Sequence, residues 1–151
     1  MPMSQWVADY MASRSRERIE RDYDGRCAQL AQAGAPRFFR ILADQVKCDV
    51  ADFHELGGDR RLTYSFVPSN TFVVRRPQYP AVRLTVKLNH VFIEYEFVYR
   101  NAFGSAETPS EGHFRIESDL HGRLQAMQDE VPFVEPSEIS QNLLKLVFDR
   151  I

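Results

Sequence analysis

Four arginines flank one expected hairpin, and their type and placement suit chemistry better than any other group in the chain. Arg60 and Arg61 lead into its first arm, and Arg75 and Arg76 leave its second. Antiparallel pairing brings all four to one open end, with Arg83 of the following strand nearby. Guanidinium forks gathered there suit a phosphate or carboxylate, and Asp59 neutralises only part of their charge. The competing explanation is simpler: arginines at strand ends keep sheet edges soluble and discourage edge-to-edge pairing. The simpler explanation is preferred.

Other chemically able groups are sparser. Glu94 and Glu96 stand two residues apart on one strand face, as a general acid and base would, but Arg83 and Lys87 offer them ordinary cross-strand partners. His90 and His121 fall in two turns at the same sheet end, with Asp119 close by. Two histidines and an aspartate are a ligand set for zinc, yet turn histidines are usually just solvated, and no metal is expected. His113 stands about five strand residues away, roughly 16 Å, and cannot join them. His54 lies near the end of a helix, where it meets the negative end of the dipole. Cys27 and Cys48 read as reduced, inert thiols on two different helices. The chain has no phosphate-binding glycine loop, Rossmann fingerprint, zinc-type spacing or Gly-x-Ser-x-Gly elbow. No cofactor is expected and the reading leans away from an enzyme, with catalytic residues none.

The elements that position these residues centre on Ala81 to Arg100. Apolar residues fall on even numbers up to Leu88 and on odd numbers from Val91 onward. A two-residue turn at Asn89-His90 would pair Val86 with Ile93 and Leu84 with Tyr95, and set Arg83 opposite Glu96. Before it, Leu62, Tyr64 and Phe66 alternate, Pro68-Ser69-Asn70 turns, and Phe72 and Val74 alternate back. A left-handed Asn70 sets Phe66 against Phe72 and Tyr64 against Val74. Phe114 and Ile116 mark a fifth strand. Residues 119–128 read either as a short helix or as a turn at Asp119-Leu120-His121-Gly122 entering a sixth strand, and Gly122 favours the turn.

Helices sit on either side of the strands. Ser4 is placed to cap a first helix, along which Ile19, Tyr23, Cys27 and Leu30 form a narrow stripe. Arg14, Arg18 and Arg21 also line up, with interleaved acids that largely cancel them. Gly34 is expected to close this helix and Pro36 to open a second, running to about Leu56 before Gly57-Gly58. Ser137 is expected to cap the final helix. The expected fold is therefore α+β: one domain over 1–151, an antiparallel β-meander of five or six strands packed by an N-terminal helix pair and a C-terminal helix.

Composition excludes some classes. With 151 residues the chain can bury a core without staples, and a formal charge of -2 argues against a surface built throughout for nucleic acid. The first ten residues lack the basic leader and apolar run of a signal peptide, and no stretch is long and apolar enough to span a membrane. A cytoplasmic protein is expected. The leading functional reading is a non-catalytic protein-interaction or self-association module, because Phe92 and Val98 put apolar surface on the polar face of the central hairpin. The second is a small-molecule pocket between sheet and helices, where Tyr64, Tyr95 and Tyr99 would offer hydroxyls. The third is a phosphate or nucleic-acid binder using Arg60, Arg61, Arg75 and Arg76, with nucleic acid the less favoured ligand.

Overall fold

A computed structural model describes residues 4–68 and 70–151. One helix, α1 (Gln5–Glu55), runs for 51 residues and precedes seven strands. These are β1 (Thr63–Val67), β2 (Thr71–Arg76), β3 (Ala81–Asn89), β4 (Phe92–Arg100), β5 (Ser110–Ser118), β6 (Leu124–Gln128) and β7 (Val131–Phe133), followed by α2 (Pro136–Phe148). All strands lie in one antiparallel sheet in chain order, β1 to β7. The class is α+β, with seven strands rather than five or six.

The expected helix pair is a single helix. Pro36 sits inside α1, where its ring nitrogen leaves the Gln32 carbonyl without an intrahelical donor. Gly34 does not end the helix but lets it approach the sheet. A Cβ at Gly34 would lie 2.7 Å from Leu124 Cδ1 on β6. Cys27 and Cys48 therefore share one helix, 21 residues or roughly 32 Å apart, and both are free thiols. The glycines of α1 carry different predictions. Gly25 has open space around its absent Cβ, so Gly25→Ala is expected to raise helix content and resist local fraying by about 0.5–1 kcal/mol. Gly34→Ala gains the same propensity but must displace the end of the Leu124 side chain, so it is expected to raise the melting temperature less than Gly25→Ala does. Circular dichroism and thermal unfolding read both, and equal gains at the two positions would refute the close-packing role of Gly34.

Sheet registers follow the alternation closely, with one shift. β1 and β2 pair Phe66 with Phe72 and Tyr64 with Val74, and Asn70 has φ 55 as the turn requires. The turn itself includes Ser69, which lies outside the described residues. β3 and β4 pair two residues away from the expected register: Val86 faces Tyr95, Leu84 faces Phe97 and Val82 faces Tyr99. The loop is His90–Val91, and His90 takes the left-handed conformation with φ 56. A two-residue shift keeps every side chain on its face, so alternation alone cannot distinguish the two registers. Residues 119–128 form the turn and strand, with Gly122 at φ 77. The helix α2 starts one residue before Ser137, with Glu135 as its N-cap and Pro136 in the first turn.

One sheet face carries the core. Phe39, Leu42 and Val46 of α1 meet Phe72, Leu84, Ile93, Phe114 and Ile116 of the sheet, and Ile139 and Leu143 of α2 close the end, all fully buried or within 1% of it. Phe53 of α1 stacks on Phe148 with ring centroids 4.3 Å apart. Ser140 of α2, fully buried, donates to Asp49 Oδ2 of α1 at 2.6 Å. No helix among the described residues is long and apolar enough to cross a membrane.

Candidate functional site

Asp59 divides the arginine cluster. It follows the end of α1 and accepts three hydrogen bonds from Arg61: from the amide at 2.9 Å, Nε at 3.0 Å and Nη2 at 2.9 Å. Arg76 is only 7% exposed, donates from Nη1 to the Pro80 carbonyl at 2.8 Å, and holds its Nε 2.8 Å from Asp59 Oδ2. That last contact is an ion pair without an aligned hydrogen bond. Arg61 and Arg76 are thus bound up with Asp59, while Arg60 is exposed beside them.

The Arg61 hydrogen bonds, side chain first and then amide, hold the Asp59 carboxyl at about 2, below its ordinary 3.8. A lowered folded value means the contribution to stability is complete above the ordinary value and is lost as pH falls toward 2. Asp59→Asn is expected to destabilise at neutral pH and to flatten the acid limb of the stability profile. Urea unfolding between about pH 5 and pH 2 checks this. A variant curve parallel to the parent would assign acid sensitivity to other carboxylates.

Arg75 behaves differently because it points to the other face of the sheet from Arg76. β2 and β3 set Arg75 directly opposite Arg83, and β3 and β4 set Arg83 opposite Val98. The register shift of the central hairpin is decisive here, since it gives Thr85, not Arg83, the position across from Glu96. Like charges directly opposed on a sheet repel, and neither arginine has an ion pair among the described residues. Arg100 lies one position further, opposite Ala81, its Nη1 3.4 Å from the Gly104 carbonyl. Arg75, Arg76, Arg83 and Arg100 with Val98 line a cleft of about 270 Å³. Arg83 stands near the cluster as expected, and Arg100 is the member the sequence did not show: it joins the face only once the register of β3 and β4 is known.

The same open face carries a wider groove of about 630 Å³ lined by Arg83, Lys87, Glu94, Glu96, Glu111 and His113 among others. Lys87 Nζ lies 3.6 Å from Glu94 Oε2, and Asn89 donates to Glu94 Oε1 at 3.2 Å, so Glu94 is held as a sheet-surface carboxylate. Glu96 faces Glu111 across the β4–β5 pair. The open face is consequently polarised, with opposed arginines at one place and opposed glutamates at another.

Other expected residues are dispersed. Phe92 lies six residues from Val98 along β4, roughly 20 Å, and packs edge-on to His113 at 5.7 Å. Val98 belongs to the arginine cleft, so the two do not form one patch. Tyr64 packs on Phe72 at 5.8 Å, and burial followed by the nearby Asp44 raises its phenol above the ordinary value. The Tyr95 hydroxyl accepts from Gln128 Nε2 at 3.1 Å, and the Tyr99 ring lies beneath Arg150 at 4.9 Å. Tyr64 stands three strands from the two tyrosines of β4, which are themselves four residues apart. Asp119 accepts the amides of His121 at 2.8 Å and Arg123 at 2.9 Å, ordering its own turn. No group of three or more potential metal ligands is found among the described residues.

One surface was legible in the sequence as an apolar stripe but not as an uncovered one. Between Ser4 and Arg26 of the long helix no residue is buried. Trp6 is 72% exposed and Ile19 68%, and Tyr10, Met11 and Tyr23 are each about half exposed. A cleft beside Tyr23, Cys27 and Ala31 is lined on its other wall by Val91, Arg115 and Ile116, which marks where α1 leaves the sheet. Residues 5–22 thus extend as an arm about 27 Å long. Comparison with protein-family models, with curated proteins and with solved structures finds no match to this chain.

Proposed function

We propose that this chain is a self-association module whose coupling element is the exposed arm of α1. The observation that carries this reading is the exposure of Ile19 and Tyr23, one helical turn apart on an uncovered face of α1. Helical stability in proteins comes mostly from burying an apolar face, not from intrinsic propensity. An arm of five turns with large apolar side chains and no covering element is stabilised by a second helix laid against it. Sedimentation velocity over a micromolar concentration series tests the reading. The mass is expected to rise to that of a dimer, and Ile19→Asp is expected to return it to a monomer with the circular dichroism of the folded body retained. A monomer at every concentration would reject it.

A second reading rests on a separate observation, the opposed pair Arg75 and Arg83 with Arg100 around one cleft. Three guanidiniums without carboxylate partners among the described residues suit a phosphate or carboxylate group. Titration calorimetry with inorganic phosphate is expected to show salt-sensitive binding that is lost in Arg75→Ala with Arg83→Ala and kept in Arg60→Ala. Equal binding by the double variant would remove this reading.

A further inference from the structure

We infer that two copies of the chain pair antiparallel through their α1 arms, about a two-fold axis at Ile19. The inference rests on the self-association reading and adds its geometry. Counting outward from Ile19, charges of opposite sign stand at equal distances: Arg18 and Glu20, Glu17 and Arg21, Arg16 and Asp22, Arg14 and Asp24. A two-fold axis there lays the basic half of each arm on the acidic half of the other. A parallel pairing in register would set every charge beside its own kind.

Helix geometry sorts these pairs by position. At 100° per residue, Ile19, Ser15, Tyr23, Ala12, Arg26, Ala8 and Leu30 share one face. Arg16 and Glu20 flank it on one side, and Arg18 and Asp22 on the other. The axis brings Arg16 to the partner's Glu20 and Arg18 to the partner's Asp22, giving four bridges along the seam. None of these four residues has an ion pair within the described chain. Glu17 and Arg21 fall on the far side, where they already pair within the helix at 3.7 Å.

Side-chain sizes match as well. Ile19 meets the partner's Ile19, Tyr23 meets the partner's Ser15, and Leu30 meets the partner's Ala8. Away from the axis, where Ile19 meets its own copy, large residues face small ones, which a close antiparallel pair needs. Arg26 aligns with the partner's Ala12, over which its aliphatic stem can lie. Ala35, Phe39 and Leu42, which are buried in the body, stand roughly opposite Ile19 and Leu30 on the helix. The partner's arm accordingly runs along the outer side of α1, with Tyr23 at the border between the seam and the cleft that Val91 and Arg115 line.

The experiment uses the full chain with paired charge reversals. Arg16→Glu with Arg18→Glu makes both flanks acidic; Glu20→Arg with Asp22→Arg makes both basic. Each variant alone is expected to self-associate at least about 100-fold more weakly than the parent, from repulsion replacing four bridges. Mixed in equal amounts, the two are expected to form a one-to-one dimer by native mass spectrometry. A parent dimer with no recovery in the mixture, or with variants that dimerise like the parent, would overturn the antiparallel pairing while leaving self-association intact. A parent that stays monomeric would overturn both.

Discussion

Replacing Phe39 by alanine is expected to destabilise the fold by about 3–5 kcal/mol. Phe39 is fully buried, its ring centroid lies 5.5 Å from that of Phe72, and Phe72 in turn lies 5.8 Å from Tyr64. The ring is therefore the inner member of an aromatic row that fixes α1 across β2. Truncation removes the burial energy and leaves a void, because Phe72 is held by its strand pairs and Leu42 by its helix. Equilibrium urea unfolding measures the loss. The neighbouring Ile41, 46% exposed on the outer side of α1, is the internal control, and Ile41→Ala is expected to stay within about 0.5 kcal/mol. Similar losses at both positions would show that α1 is not seated on this face.

The second large effect is expected at Gly112. Its absent Cβ would lie within 2.8 Å of the Tyr95 ring at Cε1 and closer still to the rest of the phenol. β4 and β5 place the two residues directly opposite on the core face, so the glycine is the space into which the ring folds. Gly112→Val must expel the ring, break its hydrogen bond from Gln128 and crowd Phe114, whose centroid is 5.8 Å from that of Tyr95. A loss of about 2–3 kcal/mol is expected, the ordinary range for overpacking. Tyr95→Ala vacates the same space, so the double variant is expected to be more stable than the sum of the two losses predicts. A double-mutant cycle measures that coupling. Strict additivity would mean that the ring and the glycine do not share the space.

Much of this architecture is legible from side-chain alternation, and its failures have physical causes. The first hairpin was readable to the residue because Phe66, Tyr64, Phe72 and Val74 fix the faces and Asn70 fixes the turn. In the central hairpin the faces were readable and the register was not, since a shift of two leaves alternation unchanged. That shift decided the chemistry: it moved Glu96 away from Arg83, so that the Arg75 and Arg83 opposed by the β2–β3 pairing lack that carboxylate. Gly34 and Pro36 imitate a helix boundary locally, while Gly34 makes room for Leu124 inside a continuous helix. Strand β7 is only three residues long, with Pro132 in its middle, and carries little pattern to detect. The arm of α1 was visible as a stripe, but whether a stripe is covered depends on tertiary placement that periodicity does not contain.

The strictly sequential sheet also has a kinetic consequence. Each strand pairs with the one just made, so the meander can grow at its edge from local contacts alone, which favours rapid assembly. The bond from Ser140 to Asp49 joins residues 91 apart in the chain. Docking of α2 on α1 therefore requires closure of a loop that contains the whole sheet. Until that step, Phe53 lacks the Phe148 ring it stacks on, and the growing chain carries an apolar helix face ahead of the segment that seals it. Mutations in β3 and β4 are accordingly expected to slow folding, whereas Leu143→Ala in α2 is expected chiefly to speed unfolding.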